Sequence, residues 1–263
     1  MHQHEEHEKC GQCVRHKQCA KPTFTPRYLL KRQAVSGSSD GGAGTASASK
    51  GSGEIPQQQP KPTHFVCIQM NNKKLQESLM KVEDDIVEKY KSNCKVDLSS
   101  IVKSPSAYHI TLMAAKIEND KVLERAKEAL DNCYETQLMK FENDPLTVKM
   151  QGIDDFSGEI VFAKVKPTPE KGILGEISKA VRATFKQASV KPFEDRPFIP
   201  HITILHLYPH MKYELGLRKI DPKCYEPYRE MYFGQKKITS VQLCKMGRPK
   251  HEPYYEIAHE VFF

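Results

Sequence analysis

The chain has 263 residues, 38% of them hydrophobic, with a formal net charge of +7 at pH 7. That length bounds the fold to one or two domains, and no apolar run approaches the roughly 20 residues that span a bilayer. Met1 to Glu8 offers neither a basic start nor an apolar segment, so no secretory signal is expected, and the expected location is cytoplasmic and/or nuclear without membrane association. The eight cysteines then read as reduced thiols or metal ligands. The positive charge favours an anionic partner, nucleic acid above all, against a solvated basic surface with no partner.

Residues 1–33 form a His/Cys-rich and basic tail. His2, His4, His7, Cys10, Cys13, His16 and Cys19 are possible ligands, and Cys10-x-x-Cys13 followed by His16 and Cys19 has the donor types for one zinc. The spacing fits no named finger, and a His-rich unfolded tail is the other reading. From 34 to 62 the composition falls to Gly, Ser, Ala, Gln and Pro, which cannot bury enough apolar surface to offset its ordering entropy. This stretch reads as a disordered linker, leaving 63–263 as the folded domain.

His64 to Met70 reads as a strand, with Asn71 or Asn72 capping a helix whose apolar stripe is Leu75, Leu79, Val82, Ile86 and Tyr90. A polar loop through Ser104-Pro105-Ser106 leads to a strand at 109–115, and Asp120 reads as the cap of a helix striped by Leu123, Ala126, Leu130 and Cys133. Leu146 to Met150 and Glu159 to Val165 read as two strands joined through Gly152 to Gly158. A helix from about Glu170 carries Ile173, Ile177, Ala180 or Val181, Thr184 and Ala188 on one face. After Pro192 to Pro197 comes a strand beginning at His201, then a turn and short helix at Pro222 to Arg229, and closing strands at 237–244 and 254–263.

Two of these strands carry one chemistry, His109-Ile110-Thr111 and His201-Ile202-Thr203. Alternation along a strand aims the His and Thr of each motif at one surface while the isoleucines enter the core. Chance supplies roughly 0.5 His-x-Thr tripeptides to a chain of this composition, before the interleaved apolar residues are required. Each motif ends a strand, helix, strand run of similar length (64 to 109, and 159 to 201), which reads as an internal duplication with both motifs on facing sheets.

Paired His-x-Thr motifs on a duplicated α/β scaffold resemble the two-histidine (2H) phosphoesterase superfamily, which includes RNA 2′,3′-cyclic phosphodiesterases and 2′,5′-oligoadenylate phosphodiesterases. Leu146 to Val165, Asp195 to Thr203, Ser240 to Met246 and Tyr254-Tyr255-Glu256 look like the central domain of the A-kinase anchoring protein 7 family, over about residues 64–263. The resemblance implies a bilobal α/β (α+β) fold with His109, Thr111, His201 and Thr203 lining a nucleotide-sized groove. It also implies mononucleotide binding, the better known property of that branch. Kinase anchoring there depends on an amphipathic helix outside this domain that docks on a kinase regulatory subunit; none is readable in residues 1–62 or after Phe263, so a kinase partner is only the weaker expectation.

A phosphodiester is cleaved when one group takes a proton from the attacking oxygen and another protonates the leaving oxygen, and an imidazole pair with pKa values near 6.5 can share those roles. Thr111 and Thr203 would donate to non-bridging phosphate oxygens. The scheme needs no metal or cofactor, and which histidine is the base stays open. Arg196 reads either as a phosphate clamp or as a partner of Asp195 or Glu194; Phe198 either stacks a base or packs beneath the strand. Asp154-Asp155 and Glu194-Asp195 read as solvated loop pairs, and His64, His206 and His210 as structural or surface residues. The expected function is therefore a phosphodiesterase acting on RNA ends or oligonucleotides through 2′,3′-cyclic or 2′,5′ linkages, with a non-catalytic nucleotide-binding or anchoring module as the alternative.

Overall fold

The computed structural model describes residues 61–263 other than Asp195 and Lys250, so the expectations for the tail and linker lie outside the described residues. Among the described residues eight strands form two four-stranded antiparallel sheets. The first holds β1 (His64–Gln69), β2 (His109–Ala115), β7 (Ser240–Lys245) and β8 (Ile257–Phe262) in the order β2-β1-β7-β8. The second holds β3 (Thr147–Phe156), β4 (Ile160–Val165), β5 (His201–His206) and β6 (Tyr232–Lys237) in the order β5-β4-β3-β6. The two motif strands therefore occupy equivalent edges, as the duplication predicts. Among the described residues no helix is long and apolar enough to cross a membrane.

Helix α1 (Lys73–Cys94) begins where the Asn72 side chain accepts from the Leu75 amide at 3.0 Å, and it buries all five predicted stripe residues. Helix α2 (Asp120–Cys133) is capped by Asn119, one residue before the expected Asp120, whose carboxylate instead sits in the first turn against the helix dipole. Helix α3 (Pro169–Gln187) buries Leu174, Ile177, Val181, Thr184 and Phe185, a stripe rotated from the predicted one, which left out Leu174 and Phe185. The helices do not stay with their own repeats: α1 packs on β6, with Leu75 against Gly234, while the Ser178 hydroxyl of α3 donates to the Leu112 carbonyl of β2 at 2.8 Å. One continuous core results, drawn from both sheets.

Three further differences from the sequence expectation have local causes. Strand β3 runs unbroken to Phe156 because Gly152, at φ 84°, absorbs a bulge, and the hairpin turn is Ser157-Gly158. Strand β6 pairs with β3, and its sequence YFGQKK hides it, since only Phe233 is buried. Tyr254-Tyr255 lie ahead of β8 and fold across the first sheet, where Phe65, Cys67 and Cys244 form a small cluster of their own. Their segment is tied down by the Ser106 hydroxyl donating to the Pro253 carbonyl at 2.6 Å.

The motif strands carry matching irregularities. Thr111 pairs with Cys67 and Met113 with Val66, making Leu112 an extra residue; Thr203 pairs with Phe162 and Leu205 with Val161, making Ile204 its equivalent. Each bulge buries two successive residues and brings Ala114 and His206 back to the face of His109 and His201. Gly152→Ala should destabilise the domain by about 2 kcal/mol or more, because alanine is strained at that φ and its Cβ meets the Arg229 carbonyl oxygen. Urea unfolding of the variant measures this, and a loss under about 0.5 kcal/mol would contradict it.

Candidate active site

Strands β2 and β5 approach one another along their sheet edges, and the chain ahead of each crosses to the other sheet. Val102 bridges Leu205 and the Lys103 amide donates to the Ile204 carbonyl at 2.8 Å; Pro192 bridges Ala115 and the Phe193 amide donates to the Ala114 carbonyl at 2.7 Å. These reciprocal straps close what would be exposed sheet edges. They also hold the two motif strands side by side.

On these strands the imidazoles are oriented in the same way. His109 Nδ1 lies 2.8 Å from the Ala107 carbonyl oxygen, and His201 Nδ1 lies 2.6 Å from that of Ile199. A carbonyl only accepts, so each Nδ1 carries the hydrogen and each Nε2 is left with its lone pair in the neutral ring. Aromatic walls fix the ring planes. Phe65 and Tyr255 pack on His109 with centroids at 4.9 and 5.4 Å, and Phe162 and Phe156 pack on His201 at 4.9 and 5.0 Å.

Thr111 and His201 line one cavity of about 460 Å³, together with Phe156, Arg182, Arg196 and Phe198. His109 and Thr203 are not on its wall. Arg196 lines the cavity and pairs with Glu194 at 3.1 Å, the second of its two sequence readings. Phe198 is likewise half-buried against the core and faces the cavity. Arg182, from α3, escaped the sequence reading because helical periodicity makes it a solvent-side residue; its Nη1 donates to the Glu194 carbonyl at 2.9 Å.

The carboxylate pair Asp154-Asp155, expected in a solvated loop, lies half-buried in β3 instead, because the bulge at Gly152 carries the strand on to Phe156. Asp154 pairs with Arg229 at 3.7 Å, and Asp155 accepts from the Gly158 amide and, at 3.0 Å, from the Tyr225 hydroxyl. Among the described residues no cluster of three His, Cys, Asp or Glu side chains has metal-binding geometry. His64 is buried at the start of β1, with Nδ1 2.9 Å from the Thr63 hydroxyl. His206, expected to be a surface or loop residue, ends β5 on the groove face.

Burial pulls the His109 pKa down to about 4, with the Lys103 and His201 charges adding to the effect against the Ala107 bond. It lowers His201 as well, against the Ile199 bond. The unfolded chain therefore takes protons on these rings at higher pH than the folded chain, and their contribution to stability is lost as pH falls from about 6.5 toward 4. Burial of Glu83, whose carboxyl is pushed up to about 8, acts in the opposite sense between 4.5 and 8. The difference between proteins isolates the histidine: between pH 7 and 4.5 wild type should lose more stability than His109→Gln in parallel denaturant titrations, and equal losses would contradict the assignment.

Residues 62–263 match the family described as the AKAP7 2'5' RNA ligase-like domain. The chain is 26% identical over 196 residues to A-kinase anchor protein 7 isoform gamma of Homo sapiens, covering 74% of this chain and 55% of that protein, so it spans about half the length of this relative. Among solved structures it is similar to TT0787 of Thermus thermophilus (TM-score 0.53, 14% identity, covering 76% of this chain and 97% of the other). It is also similar to apo LigT of E. coli (TM-score 0.50, 14% identity, covering 76% and 96%), and both likenesses concern the fold. The chain belongs to the AKAP7 2'5' RNA ligase-like domain family, within the 2H phosphoesterase superfamily.

Proposed function

We propose that the domain is a phosphodiesterase acting on RNA ends or oligonucleotides, at 2′,3′-cyclic or 2′,5′ linkages, and that His109, Thr111, His201 and Thr203 carry the reaction. The observation that supports this most directly is the pair of Nδ1–H bonds to the carbonyls of Ala107 and Ile199, which orient two imidazoles alike on adjoining strands. Family membership supports the phosphoester class.

In the proposed reaction one Nε2 takes the proton of an attacking water or ribose hydroxyl as its oxygen bonds to phosphorus. The phosphorus–oxygen bond on the opposite side breaks, and the departing ribose oxygen receives a proton from the other imidazolium. Thr111 and Thr203 donate to the non-bridging oxygens, where charge grows toward the transition state. His109, held neutral by burial and by Lys103, suits the base; His201, whose pKa has no such charge against it, suits the acid once an anionic phosphate raises it. Arg196 and Arg182 stand at the cavity wall where a nucleotide phosphate would lie, and Phe156 and Phe198 supply apolar surface for its base. The moderate positive charge of the chain favours the same class of ligand.

One observation favours a second reading, a nucleotide-binding module without turnover. Both groove imidazoles have lowered pKa values, so at neutral pH the free protein offers a base and no charged acid.

Turnover in EDTA of 2′,3′-cyclic nucleotides and 2′,5′-linked oligoadenylate by the full chain tests the proposal. His109→Ala and His201→Ala should each lower kcat by about 10² to 10⁴. Nucleotide Kd should stay within about tenfold, because acid–base groups act mainly in the transition state. Wild type that binds AMP yet turns over no cyclic, 2′,5′ or 3′,5′ substrate would leave the binding module instead. A second expectation concerns the cavity: Phe198→Ala should weaken AMP binding about three- to tenfold if its ring covers the base, and unchanged affinity would return Phe198 to core packing alone.

A further inference from the structure

The two halves of the groove are not chemically alike. On the His201 side the strap ahead of β5 delivers Glu194, whose carboxylate neutralises Arg196. On the His109 side the equivalent strap delivers Lys103, which is half-buried and, among the described residues, has no carboxylate at ion-pair distance. The cation is held in place from two directions. Its amide is bonded to Ile204 of β5, and its Nζ donates to the Tyr208 hydroxyl at 2.7 Å.

Tyr208 in turn stacks on His206, with ring centroids 3.7 Å apart and planes at 25°, and the His210 ring lies 5.8 Å away with its plane at 21°. His206 shares the groove face with His201 and Thr203 because of the Ile204 bulge. Burial and the Lys103 charge pull its imidazole down to about 4, and the same charge lowers His109, so Lys103 acts on both rings. Glu159 opposes this at His206, but its carboxylate is bonded to Lys212 at 2.7 Å. A half-buried ammonium with no acidic partner at ion-pair distance among the described residues, bonded to a tyrosine that stacks on the His206 ring, is a cation placed to meet an anion.

We propose that Lys103 and His206, braced by Tyr208, form a second phosphate subsite on the His109 side of the groove, so that the ligand carries two phosphates, as an oligonucleotide or a nucleoside bisphosphate does. A mononucleotide with a single phosphate fills only part of the groove. The inference rests on the groove being a nucleotide site. It adds the length of the substrate and the residues that measure it.

Calorimetric binding of AMP and of adenosine 3′,5′-bisphosphate to the full chain tests it, with the affinity ratio as the readout. Wild type should bind the bisphosphate about tenfold or more tighter than AMP, with a steeper salt dependence. K103Q should reduce the ratio to within about twofold, while K103R keeps most of it. H206N, which disturbs a different strand, should also reduce the ratio, which separates a lost subsite from a poorly folded Lys103 variant. Equal wild-type affinity for the two ligands, or an undiminished ratio in K103Q, would overturn the subsite while leaving the groove a nucleotide site. Failure of wild type to bind either nucleotide would overturn the nucleotide reading itself.

Discussion

Each motif histidine spends its Nδ1–H on the carbonyl two residues behind it, and that one hydrogen bond constrains most of what the groove can do. Ahead of His109 the chain makes a 3-10 turn at Pro105–Ala107, and ahead of His201 the segment 197–200 is bounded by two prolines and has no regular secondary structure. The bond sets the tautomer, leaving Nε2 as the basic nitrogen, and Phe65, Tyr255, Phe156 and Phe162 then hold the ring planes. The same aromatic walls remove water from the rings, which is why both imidazoles are held below their usual range. Orientation and basicity thus have one structural source.

The duplicated architecture serves this constraint by exchange. Each repeat sends its first helix onto the other repeat's sheet and its strap onto the other repeat's edge strand. Neither sheet is therefore complete alone, and the two motifs are fixed relative to one another by one shared core. Matched bulges at Leu112 and Ile204 keep the faces in phase. The copies then diverge at the straps, where Lys103 on one side and Glu194 with Arg196 on the other give the groove unlike ends. An approximate twofold built the site, and departures from it give the site a direction.

Much of this was legible in the sequence for a physical reason: period-2 alternation and helical stripes report burial directly, so β1, β2, β4, β5 and α1 are readable from residues alone. What stayed hidden lacks a buried stripe. Strand β6 buries only Phe233, and α4 (Pro209–Glu214) buries nothing, so neither has a periodic signal. Arg182 reaches the cavity from the half-exposed side of a helix and Lys103 meets Tyr208 from a strap, both through tertiary contacts, and no local pattern marks them. The Tyr254-Tyr255 pair has the composition of a strand, yet packing over Cys67 and Phe65 takes it out of the ladder. His-x-Thr spacing located the motifs, but the carbonyl partners that give them their chemistry depend on the segments before them.

The most direct test of the account is nitrogen NMR of histidine-labelled protein, titrated with AMP. It predicts His109 and His201 as Nδ1–H tautomers with unprotonated Nε2 in the free protein at pH 7, and one of the two doubly protonated once the nucleotide is bound. Free rings carrying the hydrogen on Nε2, or two rings that stay neutral in the saturated complex, would contradict it.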